Sequence, residues 1–359
     1  MNDLINIVPT PDPLPVASGW FFFLLHLTYY LHLLGVGIMF GTAVSMALGY
    51  VKGKNDPKWK PFADRMAKIL PFTIAFAVNL GVAPLLFLQV LYGNFFYSAS
   101  ILVGIPWLLV FVFLIVAYYS AYWLVFKKET KVKNKTLLSV IISVILAWIA
   151  FMLVNVNTLM MVPAKWKTYF ANKNGFNLNL SETTLFPRYI FYLFLFITIG
   201  GAFIALFYKI KNKREESGTG FNFGSILSGN CAVLSALAFA LYLLTLPGEI
   251  KGIFLGGNIP WTLLTLVFVL GLIVIAYLNF KRKTSFSTLL LVLDLIVFVF
   301  IRQHIRYLYM NPFAGKFSTV SPNTQYGVMA LFFIVLAAGL GLIAWLLIKV
   351  AKEKRAFPA

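Results

Sequence analysis

Six side chains in an otherwise apolar chain are of a type that does chemistry. His26 and His32 lie six residues apart in one apolar run, and Asp294, Arg302, Gln303 and His304 share another. A neutral imidazole ligates a metal or carries a proton. A carboxylate in a membrane is expensive and marks function unless it is paired. A guanidinium grips carboxylates or phosphates through two parallel hydrogen bonds. Cys231 is the single cysteine. It excludes a disulfide within the chain, cysteine-based zinc and iron–sulfur sites, and the C-x-x-C-H attachment of a covalent haem.

The elements that must position these groups follow from composition. Of 359 residues, 60% are hydrophobic, 11% are charged, and mean hydropathy is +0.86. Soluble domains carry roughly 25% charged residues, so a soluble enzyme and a disordered chain are both excluded. About 20 apolar residues cross a bilayer as a helix. Nine such spans are predicted near 18–49, 66–92, 100–126, 136–161, 187–209, 223–246, 260–280, 285–310 and 324–349. The turn between the second and third is placed at Tyr92-Gly93-Asn94 with Ser98 and Ser100. Residues 1–17 hold Asp3 and Asp12 but no Lys or Arg, and the apolar run that follows is too long for a cleavable signal.

Charge sets the orientation. Most of the 30 Lys and Arg fall in alternate connections: Lys52–Lys68, Lys127–Lys135, Lys209–Arg214, Lys281–Lys283 and Lys349–Arg355. Those connections are expected inside. The chain is thus expected to be an all-α integral membrane protein of nine transmembrane helices, a single domain over 1–359. Its N-terminus lies outside (periplasmic) and its C-terminus is cytoplasmic. The net charge of +19 then reports topology and calls for no nucleic acid. The longest connection, 162–186, mixes Trp166, Tyr169, Phe170 and Phe176 with Lys and Asn. It reads as amphipathic surface packing, with docking of an outer partner as the sharper alternative.

Depth sorts the polar groups. At about 1.5 Å per residue, His26 lies roughly 10 Å below the outer face and His304 roughly 9 Å, while His32 and Asp294 lie at roughly 20 and 24 Å. Imidazoles at matched depth on two helices are what a bis-histidine haem b requires. His26 and His304 are therefore the expected axial ligands of an outer haem. His32 or Asp294 would ligate, or hydrogen-bond at, a deeper second one. Arg302 and Gln303 would hold propionates. Hydrogen-bonding core histidines are the plainer alternative. Arg306 is expected to snorkel to the outer interface. Asn79, Gln89, Asn155 and Asn157 are further polar groups within spans. Gly37-Ile38-Met39-Phe40-Gly41 reads as a close helix crossing.

In order and placement these motifs resemble subunit I of the cytochrome bd-type quinol oxidases. His26 with Gly35 nine residues on is similar to that family's first-helix ligand motif, and Lys52–Lys68 resembles its basic first inner loop. Asn79-Leu80-Gly81-Val82 and Gln89-Val90-Leu91-Tyr92-Gly93 resemble parts of its second helix. Val156-Asn157-Thr158-Leu159-Met160-Met161-Val162-Pro163 resembles the end of its fourth, and Asp294 followed by Ile301-Arg302-Gln303-His304-Ile305 its eighth. The departures are specific. Gln89 stands where the family has Glu. Residues 100–126 hold no acid, 187–209 no His and 260–280 no Met, and the quinol loop shrinks to Pro247–Asn258. His304 replaces a Pro of the family motif. The resemblance implies a bd scaffold with part of the high-spin haem region kept and the oxygen-reducing machinery lost.

The expected function is that of a haem-b-bearing membrane subunit, with one or two haems and no covalent haem c, in a bd-like respiratory electron-transfer complex of a bacterial or archaeal cytoplasmic (inner) membrane. Its partner would be an outer-side c-type cytochrome or other redox subunit, in a hetero-oligomer. Quinone is a further donor or acceptor, at a site the sequence does not place. Competing readings are a cofactor-free anchor for a peripheral redox enzyme, a divergent oxygen reductase, and a transporter.

Overall fold

The computed structural model describes residues 6–126, 134–211 and 215–356. Asp3 and the basic residues Lys127, Lys128, Lys131, Lys133, Lys213 and Arg214 lie outside the described residues, and of the side chains of Lys354 and Arg355 nothing is described. In lipid each backbone N–H and C=O must find a partner within the segment, and a helix does this unaided. Nine helices among the described residues are long and apolar enough to cross a membrane. They are α1 (Ser18–Lys52), α2 (Trp59–Leu102), α3 (Gly104–Phe126), α4 (Lys135–Met161) and α5 (Leu185–Lys211), followed by α6 (Glu215–Leu244), α7 (Ile259–Phe280), α8 (Thr284–Met310) and α9 (Tyr326–Ala356).

The second connection departs from expectation. No turn forms at Tyr92-Gly93-Asn94. The chain kinks at Tyr92 (φ −139°, ψ 30°) and stays helical to Leu102, so the reversal falls at Val103. The residues that read as turn formers are satisfied in other ways. Ser98 Oγ donates to the Asn94 carbonyl at 2.8 Å and Ser100 Oγ to the Tyr97 carbonyl at 2.9 Å. Asn94 Nδ2 reaches out of the helix to the carbonyls of Pro9 and Lys316, at 3.0 Å each. Hydroxyls that bond back to their own helix remove the local reason for a turn.

The buried middle is built by α1, α5 and α6. Gly37 and Gly41 let α1 touch α5. A β-carbon at residue 37 would stand 2.6 Å from Ile199 Cβ, and one at residue 41 would collide with the backbone of Gly200. The close crossing read from the glycine spacing is therefore present. On its other side α5 meets α6 just as tightly, through Gly201 against Ser228 and Gly224 against Ala205. Between α4 and α5 a short turn at Pro163–Lys167 buries Trp166, whose Nε1 donates to the Leu159 carbonyl at 2.9 Å. Phe170 and Phe176 of the same connection are exposed. At the periphery, α9 has no buried residue from Tyr326 to Val350, and its ring contact with the body pairs Phe333 with Trp20, centroids 5.5 Å apart.

Candidate functional site

A cavity of about 360 Å³ opens among α1 to α6 and α8. Its walls are mostly Leu, Val, Ile, Ala and Phe, and its polar content is concentrated in a few groups. One is His32 of α1. Its Nδ1 lies 3.1 Å from the Ala77 carbonyl of α2. A carbonyl oxygen only accepts, so Nδ1 carries the proton and Nε2 keeps its lone pair. Gly81, one turn along α2 from Ala77, makes room for the ring. A β-carbon there would lie 2.7 Å from His32 Cε1.

The charged groups are three arginines. Arg188 of α5 donates from Nη2 to the Tyr242 hydroxyl at 2.7 Å. Arg302 of α8 donates from Nε to the Tyr192 hydroxyl at 3.0 Å, and its guanidinium sits 3.9 Å over the Tyr29 ring. Arg306, one turn further on, donates from Nη2 to Asn157 Oδ1 at 2.9 Å. Asn157 also receives Arg302 Nη2 at 3.4 Å. All three arginines line the cavity, and no Asp or Glu is among the lining residues. Arg188 and Arg306 are 7% and 3% exposed, and their Nε and Nη1 atoms, respectively, are buried without a partner.

The magnitudes decide what this means. Burying one unpaired charge costs several kcal/mol. Tyrosine hydroxyls and an amide offset part of that, but they supply no negative charge. Three guanidiniums sharing one apolar cavity therefore call for an anionic ligand. Tyr29, whose ring carries the Arg302 guanidinium, lies about one turn before His32 on α1, and all three residues line the cavity. The cavity thus joins a Lewis-basic nitrogen to a cationic end across an apolar wall.

The six residues singled out in the sequence fall in different surroundings. His32 and Arg302 line the cavity. Gln303 does not line it but accepts from Arg302 Nη1 at 3.0 Å, holding that guanidinium in place. His26 lies outside it, with Nδ1 donating to the Phe22 carbonyl at 2.6 Å and its ring 5.1 Å from Phe300. His304 stacks on Trp261 of α7, centroids 3.7 Å apart and planes 7° from parallel. Asp294 is 3% exposed and away from the cavity. Its carboxyl occupies the space left by Gly271 of α7, and Oδ2 has no hydrogen-bond partner.

Arg306 corrects an expectation. It does not snorkel outward but turns in, because Asn157 and the Tyr92 face receive it. Arg188, Tyr29, Tyr192 and Tyr242 were not anticipated. An arginine at the margin of a span reads as an interfacial anchor, and tyrosine in an aromatic-rich chain reads as filler. Among the described residues no three His, Cys, Asp or Glu come together to hold a metal. A metal that brings its own macrocycle needs one protein ligand, and His32 is of the right type.

No known family model matches the chain, and no curated protein matches it. Among solved structures, a chain of the bd oxidase from Geobacillus thermodenitrificans superposes with a TM-score of 0.62 at 17% sequence identity. The match takes in 94% of this chain and 98% of that one. The likeness is one of fold. A bd-type arrangement of helices therefore runs through nearly the whole chain. Within it, the cavity described above is enclosed by seven of the nine helices.

Proposed function

We propose that this chain is a haem-bearing membrane subunit of a bd-like respiratory electron-transfer complex. The observation that carries the reading is the cavity in which His32 and three acid-free arginines meet. The donor set fits haem b. His32 Nε2 would hold the iron, its ring fixed in orientation by the Ala77 carbonyl, as metal-ligating imidazoles usually are by their second nitrogen. The orphaned donors of Arg188 and Arg306, with Arg302, suit two propionates. Bound haem supplies one-electron redox chemistry. The apolar lining excludes water and strengthens the electrostatic hold of the arginines, and those cations favour the reduced state.

The neighbouring redox partner in this proposal is an outer-side c-type cytochrome or related subunit, in a hetero-oligomer of the cytoplasmic membrane of a bacterium or archaeon. Quinone is the alternative exchange partner. The pairing of His26 with His304 around an outer haem stands as a separate proposal. The packing does not favour it, since the His304 ring would have to leave its stack on Trp261. Oxygen reduction is disfavoured by the absence of any carboxylate from the cavity lining, because that reaction consumes protons.

The test is a dithionite-reduced minus oxidised visible spectrum of the purified chain, with the haem type identified as its pyridine complex. A Soret band that disappears in His32→Ala supports the assignment. A colourless protein removes the haem reading and leaves the anchor. A haem retained in full by His32→Ala moves the ligand elsewhere.

A further inference from the structure

A second concavity, of about 330 Å³, lies at one end of the helices, between the end of α1 and the starts of α2 and α4. It is lined by Tyr50, Gly53, Lys54, Lys60, Asp64, Lys135 and Thr136. Its one carboxylate is already engaged. Asp64 Oδ1 accepts from the Tyr50 hydroxyl at 2.7 Å and from Lys135 Nζ at 3.1 Å. The ion pair cancels the charge of Lys135. Lys54 and Lys60 remain, and neither has an acidic partner among the described residues. The first turn of α4 also faces this hollow through Thr136, and a helix N-terminus attracts negative charge. The hollow thus carries two cations without an acidic partner among the described residues, a hydroxyl and a favourable dipole.

Its borders point to the kind of anion. Val51 and Leu137, neighbours of the lining residues at the same helix ends, are 44% and 55% exposed. Exposed apolar side chains beside a cationic hollow at the end of membrane-spanning helices match a molecule with a charged head and apolar tails. We propose that this hollow binds the phosphate group of an anionic phospholipid, with Lys54 and Lys60 on the phosphate oxygens and the acyl chains running down past Leu137. The site is independent of the haem cavity and stands or falls without it.

The experiment uses the full-length chain, purified in a zwitterionic detergent and stripped of lipid. Thermal unfolding is followed while phosphatidylglycerol, phosphatidylcholine or inorganic phosphate is added. Phosphatidylglycerol should raise the midpoint saturably, and phosphatidylcholine much less at equal concentration. Lys54→Gln with Lys60→Gln should shift the half-saturating concentration up by about thirtyfold, from two lost contacts. Lys54→Arg with Lys60→Arg should restore the response. Lys58→Gln, at a lysine paired with Asp56 outside the hollow, should leave it unchanged. Added salt should weaken the response, because exposed charges are screened. An equal response in the double glutamine variant overturns the site. Inorganic phosphate matching the lipid overturns the lipid as its source.

Discussion

His32 and His304 show how environment divides two chemically identical side chains. Both are imidazoles in apolar helices. His32 has one nitrogen tied to a backbone carbonyl and lines the cavity, whereas His304 spends its ring face on Trp261. His32→Ala should therefore abolish the haem spectrum, and His304→Ala should retain it, as read by Soret absorbance per mole of protein. Arg306 gives a graded test. Replacing it with Gln removes one positive charge from the cavity, which stabilises the oxidised form. The midpoint potential should fall by on the order of 50 mV in a redox titration. No change in potential would place the arginines away from the redox centre. Arg302, already held by Tyr192 and Gln303, should be the costlier loss, with haem occupancy falling as well.

At the scale of elements, the crossing of α1 with α5 sets one wall of the cavity. The two backbones approach closely because Gly41 faces Gly200. A larger side chain at either position must push the helices apart. Gly41→Leu or Gly200→Leu should destabilise the protein by about 1–3 kcal/mol, seen as a lower temperature of haem release. His32 lies on α1 and Arg188 on α5, so the same variants should loosen haem binding even though neither touches it. The Gly37–Gly41 spacing was legible as a helix contact in the sequence. Its partner, Gly200, was not, since a lone pair of glycines does not name the helix it meets. The kink at Tyr92 was misread for a related reason. Asn94 and Ser98 favour turns when their side chains compete with the backbone, and here their bonds return to the helix or tie down distant chain.

At the scale of the whole molecule, α9 stands apart from the other eight helices, and Met329 and Phe333 alone among its residues from Tyr326 to Val350 are even partly covered. No residue of α9 lines the cavity. A chain ended before Tyr326 should match the full-length chain in Soret absorbance per mole of protein once inserted in membranes. Loss of haem on that truncation would tie α9 to the site. The match over 94% of the chain at 17% identity fits the same picture. In lipid, helix length and small-residue contacts preserve an arrangement that few individual side chains specify.

Composition and periodicity by themselves determined that the chain is helical, that it has nine spans, and that His32, Arg302 and Gln303 belong to an uncommon set of polar groups in an apolar background. Those conclusions rest on local physics: the cost of exposed backbone in lipid, and the length needed to cross it. The cavity was decided by tertiary structure alone. Depth along an axis placed His26 level with His304, but depth says nothing about which way a side chain faces across the bundle. The pairing of Arg188 with Tyr242 spans 54 residues of chain, and that of Arg306 with Asn157 spans 149. Such contacts follow from how helices rotate and cross, which is set by packing between faces that no single helix contains.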